Sequence, residues 1–519
     1  MGGVSPIFGF DPRALHRPQP WFIVLLAMAV LCITVPLYPE RVSSGERILG
    51  SYLTAVWSIP LGVALLVFLG SFRARAAMKT LARRRRLGSA PFVGPEQLVI
   101  VQIPTVGRHD VMPALNRVVA SFETFMPKRF ARWRLDVIAD EGCEAVETLN
   151  AMASDHVRTL YVPADYITPG GTERKARANH WINEVRIAQG EAGADVWILH
   201  MDDDTGIAGD TAREFARFIV DNPANKRSSL HLAQGVLTYP REFSGNIFVW
   251  LADSVRPSSD LSMFCMMTGS GRPLIGAHGE LLLVRASVEA RIGWDFGRLL
   301  SITEDANFAL TFATHYPRKS GWVPARCYGS SPESVRDLIT QRKRWARGLL
   351  HVASNRRLPW SHRALLAYAL TSWAVGPFQH VLVILGVAAA LGMRSTVPLA
   401  PVILAIWAFN LGAGLWMYGS GLVANAHASG MHRPRSGHWA GLLLFPIFTL
   451  LEAWAGFLGV VNYVKDRLGL QRGELFEVIS KTVPGGVPEQ TRWERISSPG
   501  AHQVAQQADN AVPDRRRAA

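Results

Sequence analysis

Asp202, Asp203 and Asp204 follow an apolar run, Thr303-Glu304-Asp305 comes later, and Gln341-Arg342-Lys343-Arg344-Trp345 later still. Carboxylates hold divalent cations, and another carboxylate can serve as a base. An amide and a guanidinium grip phosphate, while an indole stacks on a ring. Each group alone is weak, but the ordered set suits transfer of a sugar from a nucleotide diphosphate. A diphosphate is polyanionic, so carboxylates sit beside it only when a cation bridges them. Alternation at a strand end pairs Asp202 with Asp204. Asp204 is assigned to the metal, and Asp202 to the nucleotide ribose or the surroundings of the metal.

Glu304-Asp305 precedes a helical run, Ala306 to Ala313, so the pair also suits a helix N-terminus. The catalytic reading has Asp305 removing a proton from an acceptor hydroxyl as it attacks the anomeric carbon, which inverts the configuration. Gln341, Arg344 and Trp345 stand at i, i+3 and i+4, sharing a helix face with Asp337, Leu338 and Gly348, with Arg342 and Lys343 to the sides. A basic amphipathic helix on a membrane surface is the competing reading. Lys175, in Glu173-Arg174-Lys175-Ala176-Arg177-Ala178-Asn179, either faces the phosphates or belongs to a solvated charge run. His200 and His278 read as hydrogen-bonded core or loop histidines and are left out of the metal site.

These residues need a frame. Leu98–Ile103, Arg134–Ala139, Thr159–Val162 and Asp195–Met201 read as strands, with helical patterns at Val111–Phe125 and Lys175–Gln189 between them. Such alternation predicts a mainly parallel sheet, whose ligands bind beyond the carboxyl ends of its strands. Pro104-Thr105, Asp140-Glu141 and Asp202–Asp204 stand at such ends, which locates one site.

Apolar residues make up 49% of the 519 and concentrate at the two ends. Trp21–Tyr38 and Leu49–Gly70 carry no charge and approach the roughly 20 residues that span a bilayer. Leu365–Met393, Val397–Ala424 and Trp439–Val464 follow late, so an integral membrane protein is expected. A cleaved signal peptide is disfavoured, because no small-residue cleavage site follows the first run. The net charge of +14 invites nucleic acid, but Arg73, Arg75, Lys79 and Arg83–Arg86 cluster after the second span. That placement marks a cytoplasmic flank and attracts anionic lipid, and no nucleic-acid signature accompanies it. The four cysteines have no metal-ligand spacing and read as reduced thiols.

The motifs resemble the membrane-embedded family 2 glycosyltransferases. Cellulose and hyaluronan synthases are relatives, and egghead-type β-1,4-mannosyltransferases are the nearer match. The nearer match rests on His278-Gly279-Glu280 through Val284-Arg285-Ala286, on Gly293-Trp294-Asp295-Phe296-Gly297, and on Glu304-Asp305-Ala306 with the Gln-Arg-x-Arg-Trp cassette. The resemblance implies an α/β GT-A (Rossmann-like) cytoplasmic catalytic domain flanked by transmembrane α-helices. Its implied site has Pro104, Thr105 and Asp140 near the nucleotide and Lys175 near the phosphates. Asp204, with Asp202, would hold Mg²⁺ or Mn²⁺, and Asp305 beside Glu304 would be the base. Gln341 and Arg344 would bind the diphosphate and Trp345 the acceptor. Asp203 departs from the pattern, since the synthases usually carry a small residue there. Phe476–Lys481 resembles the gating segment of processive synthases, without its threonine.

The expected layout is a membrane region (1–87), a catalytic block (88–360), a second membrane region (361–466) and a polar tail (467–519). The expected partners are a nucleotide sugar donor, a glycolipid or glycan acceptor and membrane lipids, without nucleic acid. Single transfer to a lipid-linked acceptor competes with processive polymer synthesis. A transporter or channel would need more polar residues in the spans than Asn410, His380 and Glu452.

Overall fold

The computed structural model describes residues 20–34, 52, 54–88, 91–375 and 401–470. Eight strands form one sheet: β1 (Leu98–Pro104), β2 (Trp133–Asp140), β3 (Val157–Val162), β4 (Val196–His200), β5 (Gly206–Ile207), β6 (Leu232–Thr238), β7 (Leu282–Arg285) and β8 (Ser320–Tyr328). Their order is β3-β2-β1-β4-β7-β6-β8-β5. The first four pair in parallel, as expected, in the order β3-β2-β1-β4. The rest is mixed, yet β6 and β8 run parallel to each other and in the direction of the first four, so six of the eight strands share one direction and the sheet is mainly parallel, as expected. Strand β7 runs antiparallel to both β4 and β6, and β5 antiparallel to β8.

Ten helices matter below: α1 (Phe22–Thr34), α2 (Leu61–Leu87), α3 (Met112–Phe125), α4 (Arg174–Ala188), α5 (Gly209–Asp221), α6 (Glu304–His315), α7 (Val335–Ser354), α8 (Trp360–Ala374), α9 (Pro401–Ala428) and α10 (Phe445–Arg467). Alternating side chains of β1 feed two cores. Val99, Val101 and Ile103 pack with Leu115, Val118 and Phe122 of α3. Ile100 points the other way, into a cluster with Phe308 and Phe312 of α6. A sheet buried on both faces explains why β1 and β4 read as unbroken apolar runs. Register pairs Gln102 of β1 with His200 of β4, and Pro104 with Ile138 of β2. The carboxyl ends of three strands therefore open onto one edge.

Three helical stretches among the described residues are long and apolar enough to cross a membrane: Thr54–Arg85, Val402–Ala428 and Ser436–Arg467. Of the first apolar run, residues 21–34 are described, all but Trp21 of them in the 13-residue α1. Leu365–Met393 is described only as far as residue 375, and Phe476–Lys481 and the end of the tail lie outside the described residues. The basic run does more than flank a span. Arg84 and Arg85 reach Asp221 and Glu214 of α5 at 3.2 and 2.8 Å, so the run docks on the central α/β block. Cys265 and Cys327 are buried and Cys143 half-buried, while Cys32 is exposed on α1; all four are free thiols.

Candidate active site

A cavity of about 760 Å³ opens at the carboxyl edge of the sheet. Every residue singled out as a site candidate lines it, although they come from positions 104 to 345 of the chain. Strand β4 ends at His200, and residues 203–204 form a turn, so strand alternation does not extend to the aspartates as the sequence reading assumed. Each has its own role instead. Asp202 pairs with the Lys175 ammonium. Asp203 accepts from the Thr105 hydroxyl at 2.8 Å, tying the β4 turn to the loop after β1. Asp204 is nearly buried and accepts from the Thr205 hydroxyl at 3.1 Å. Asp140, at the exposed rim, receives Arg177 at 3.4 Å.

Lys175 stands in the first turn of α4, just after Arg174, whose φ of 56° is left-handed and strained for a non-glycine residue. Burial alone would lower the ammonium's pKa. The carboxylates of Asp202, Glu304, Asp305 and Glu280 outweigh burial and hold it above the ordinary lysine value.

The helix N-terminus reading of Glu304-Asp305 holds in the structure. The pair opens α6, and Asp305 Oδ1 accepts from the Ala306 amide at 2.8 Å, which is a capping interaction. Both residues also line the cavity. Burial, and then the neighbouring Asp305 charge, push Glu304 up to about 7 against the pull of Lys175. Burial likewise raises Asp305. A carboxylate kept ready to take a proton near neutrality suits a general base.

Helix α7 begins at Ser334, whose hydroxyl accepts from the Asp337 amide at 3.1 Å. Its cassette face packs against the turn before α6. A Cβ on Gly348 would lie 2.7 Å from the Thr303 side chain, so only glycine permits this approach. The opposite flank contacts α10, where Arg347 Nε donates to Asp466 at 2.6 Å and His351 Nε2 lies 2.8 Å from the same carboxylate. The helix is thus packed between α10 and the turn before α6. Arg342, expected at the side, is fully buried because that side faces protein. It pairs with Asp253 and donates to Glu452 of α10 at 2.8 Å. It also donates to the Gln341 amide oxygen and lies 4.4 Å from the Trp345 ring centroid.

His278 lies between two carboxylates, Asp260 at 3.0 Å and Glu280 at 3.1 Å. Burial would lower its pKa, but Asp260 and Glu280 hold it at about 10, so the ring is an imidazolium at neutral pH. His200 is a core residue beside Glu289 at 3.2 Å, and burial pushes its pKa down. Sequence reasoning missed Asp253, Arg256, Asp260 and the tie from Arg342. Only Glu452, a carboxylate inside an apolar run, gave a signal.

Among the described residues no group of three or more His, Cys, Asp or Glu is gathered to hold a metal. The oxygens available are nonetheless hard carboxylates, of a kind that binds Mg²⁺ or Mn²⁺ together with substrate phosphates.

Residues 197–419, which hold the aspartate turn, the Glu304-Asp305 pair and the cassette, match the family described as "Glycosyl transferase family group 2". Among curated proteins, the chain is 25% identical over 316 residues to "Beta-1,4-mannosyltransferase egh" of Drosophila melanogaster, covering 60% of this chain and 63% of the relative. It is 26% identical over 306 residues to "Beta-1,4-mannosyltransferase bre-3" of Caenorhabditis elegans, covering 58% and 62%. The chain thus spans about three fifths of the length of the curated relatives it matches. Among solved structures, it is similar to the mannosyltransferase PcManGT from Pyrobaculum calidifontis in complex with GDP-Man and Mn²⁺. That likeness has 15% identity and a TM-score of 0.41, covering 80% of this chain and 99% of that one.

Proposed function

We propose that this chain is an inverting membrane glycosyltransferase. It transfers a hexose from a nucleotide diphosphate sugar, GDP-mannose or a UDP-hexose, to a lipid-linked or membrane-delivered glycan acceptor. The observation that carries this is the single cavity shared by the acidic turn, Glu304-Asp305 and the Gln341/Arg344/Trp345 face. The likeness to β-1,4-mannosyltransferases supports a mannosyl donor.

In the proposed step, Asp305 takes the proton of the acceptor hydroxyl as that oxygen bonds to the anomeric carbon. The bond from that carbon to the β-phosphate oxygen breaks, and the nucleoside diphosphate leaves with the electron pair. Gln341 and Arg344 meet the charge that develops on the leaving group. Trp345 holds the acceptor ring, and Lys175 adds a positive charge near the phosphates. Asp204 and Asp202 would hold Mg²⁺ or Mn²⁺, which neutralises diphosphate charge when bound. The lining includes Leu66 of α2, Met417 of α9 and Thr449 of α10, so the cavity reaches between the candidate membrane helices. That supports delivery of the acceptor from the membrane; the cytoplasmic placement of the block is proposed from the basic run after the second span. The same reach supports a second reading, a processive β-polysaccharide synthase that passes its polymer through the membrane region.

Incubation with radiolabelled GDP- and UDP-hexoses tests both readings. A short, lipid-extractable product with a β anomer from an α donor is expected. Long water-soluble chains would favour the synthase, and an α-linked product would overturn direct displacement. Chelation with EDTA should abolish transfer and added Mn²⁺ or Mg²⁺ restore it; full turnover in EDTA would remove the metal from the proposal.

A further inference from the structure

Arg256, in the short helix Val255–Ser259, lines the cavity. A guanidinium carries five donors and keeps its charge at every accessible pH. On a helix, its ion-pair partners stand three or four residues away. Both directions offer an aspartate, Asp253 three residues before and Asp260 four residues after, and both are engaged elsewhere. Asp253 pairs with Arg342. Asp260 meets His278 Nε2 at 3.0 Å and accepts from the Leu237 amide at 2.8 Å. Among the described residues the buried Arg256 Nε has no acceptor, and Arg256 enters no ion pair. Its recorded side-chain contact is Trp345, with Cζ 4.9 Å from the ring centroid.

Arg256 is half-buried. Burial would lower its pKa, but Tyr239 and the Asp260 and Glu280 charges hold it above the ordinary arginine value. Those two carboxylates engage His278 and leave the Arg256 Nε donor without an acceptor. We propose that Arg256 binds phosphate, its guanidinium receiving an oxyanion of the ligand that lies beside Trp345. Two ligands bring that chemistry here: the nucleoside diphosphate of the donor, and a phosphate carried by a membrane-borne acceptor. The second has support in position, because this segment packs on α9. Ser258 Oγ lies 2.6 Å from Ser420 Oγ, and a Cβ on Gly421 would collide with the Ser254 carbonyl. The inference rests on the proposed sugar transfer for its choice of nucleotide ligand, but not for the chemistry of the side chain.

The full chain in detergent micelles, as wild type, Arg256→Met and Arg256→Lys, is titrated calorimetrically with GDP, UDP and dodecyl phosphate. Arg256→Met should lose about 10–100-fold in affinity for at least one probe, and Arg256→Lys should lose less. The ligand-free melting temperature of Arg256→Met should stay near that of wild type, since the guanidinium enters no ion pair with the protein. Loss confined to GDP or UDP assigns the residue to the leaving diphosphate, and loss confined to dodecyl phosphate assigns it to the acceptor. Wild-type affinity of Arg256→Met for every probe overturns the inference while leaving the proposed function standing. A lowered ligand-free melting temperature in both variants also overturns it, by making Arg256 a structural support for Trp345. Wild type that binds neither nucleotide overturns the proposed function instead, and the dodecyl phosphate titration then judges Arg256 alone.

Discussion

Asp305 commits one carboxylate oxygen to the Ala306 amide and still lines the cavity, so removing its charge should separate binding from chemistry. Asp305→Asn is expected to bind nucleotide sugar nearly as wild type while transfer falls about 10²–10⁴-fold. Equal loss of donor affinity, measured by titration, would make it a binding residue. Glu304 offers a pH test. Its folded-state value of about 7 lies above its ordinary value, so its contribution to stability is fully present at low pH and lost as pH rises through 7. Glu304→Gln should therefore melt higher than wild type at pH 8 and show little gain at pH 4; the reverse order in a calorimetric scan would refute the assignment. That the acids and the cassette share one cavity was legible in the sequence, because they cluster directly after apolar runs and at a helix start. Arg256, Asp253 and Asp260 were not legible, because what matters about them is which partner each one lacks or holds, and only folding decides that.

Strands β1 to β4 could be read because each is a short β-branched or aliphatic run bounded by polar residues. The second half of the sheet hid itself. Strand β6 contains Gln234 and Gly235 at a register shift, β8 contains Gly321 and Pro324, and β7 has only four residues. None of these makes a clean run, and nothing in the sequence marks β7 as reversed. For α7 the helical face was correctly grouped, but its packing on both flanks was invisible. That packing makes Gly348 a test of how α7 sets the site. Gly348→Ala should push α7 from Thr303, costing about 1–3 kcal/mol of stability and reducing transfer. Adding Thr303→Ala should recover part of both losses. Additive losses in the double variant, read from melting and turnover, would show that the two positions do not touch functionally.

Across the whole molecule, the layout of apolar ends around an α/β block followed from composition. The path of the late apolar stretches did not, since Leu365–Met393 extends beyond the described residues. The basic run after the second span was read as a lipid-facing signal, yet two of its arginines clasp α5. Charge counting cannot separate those uses, because both need a cation at the same place. Helix α10 belongs to a candidate span and holds α7 through Glu452 and Asp466. Its 23 residues measure about 35 Å, close to a hydrocarbon thickness of about 30 Å, so as a span it would meet a thinner bilayer by tilting. Because two anchors along α10 grip the helix bearing Gln341, Arg344 and Trp345, such a tilt acts as a lever on the site. If α10 spans the bilayer, turnover in vesicles of graded acyl-chain length should pass through a maximum, and Glu452→Gln, which slackens one anchor, should flatten it.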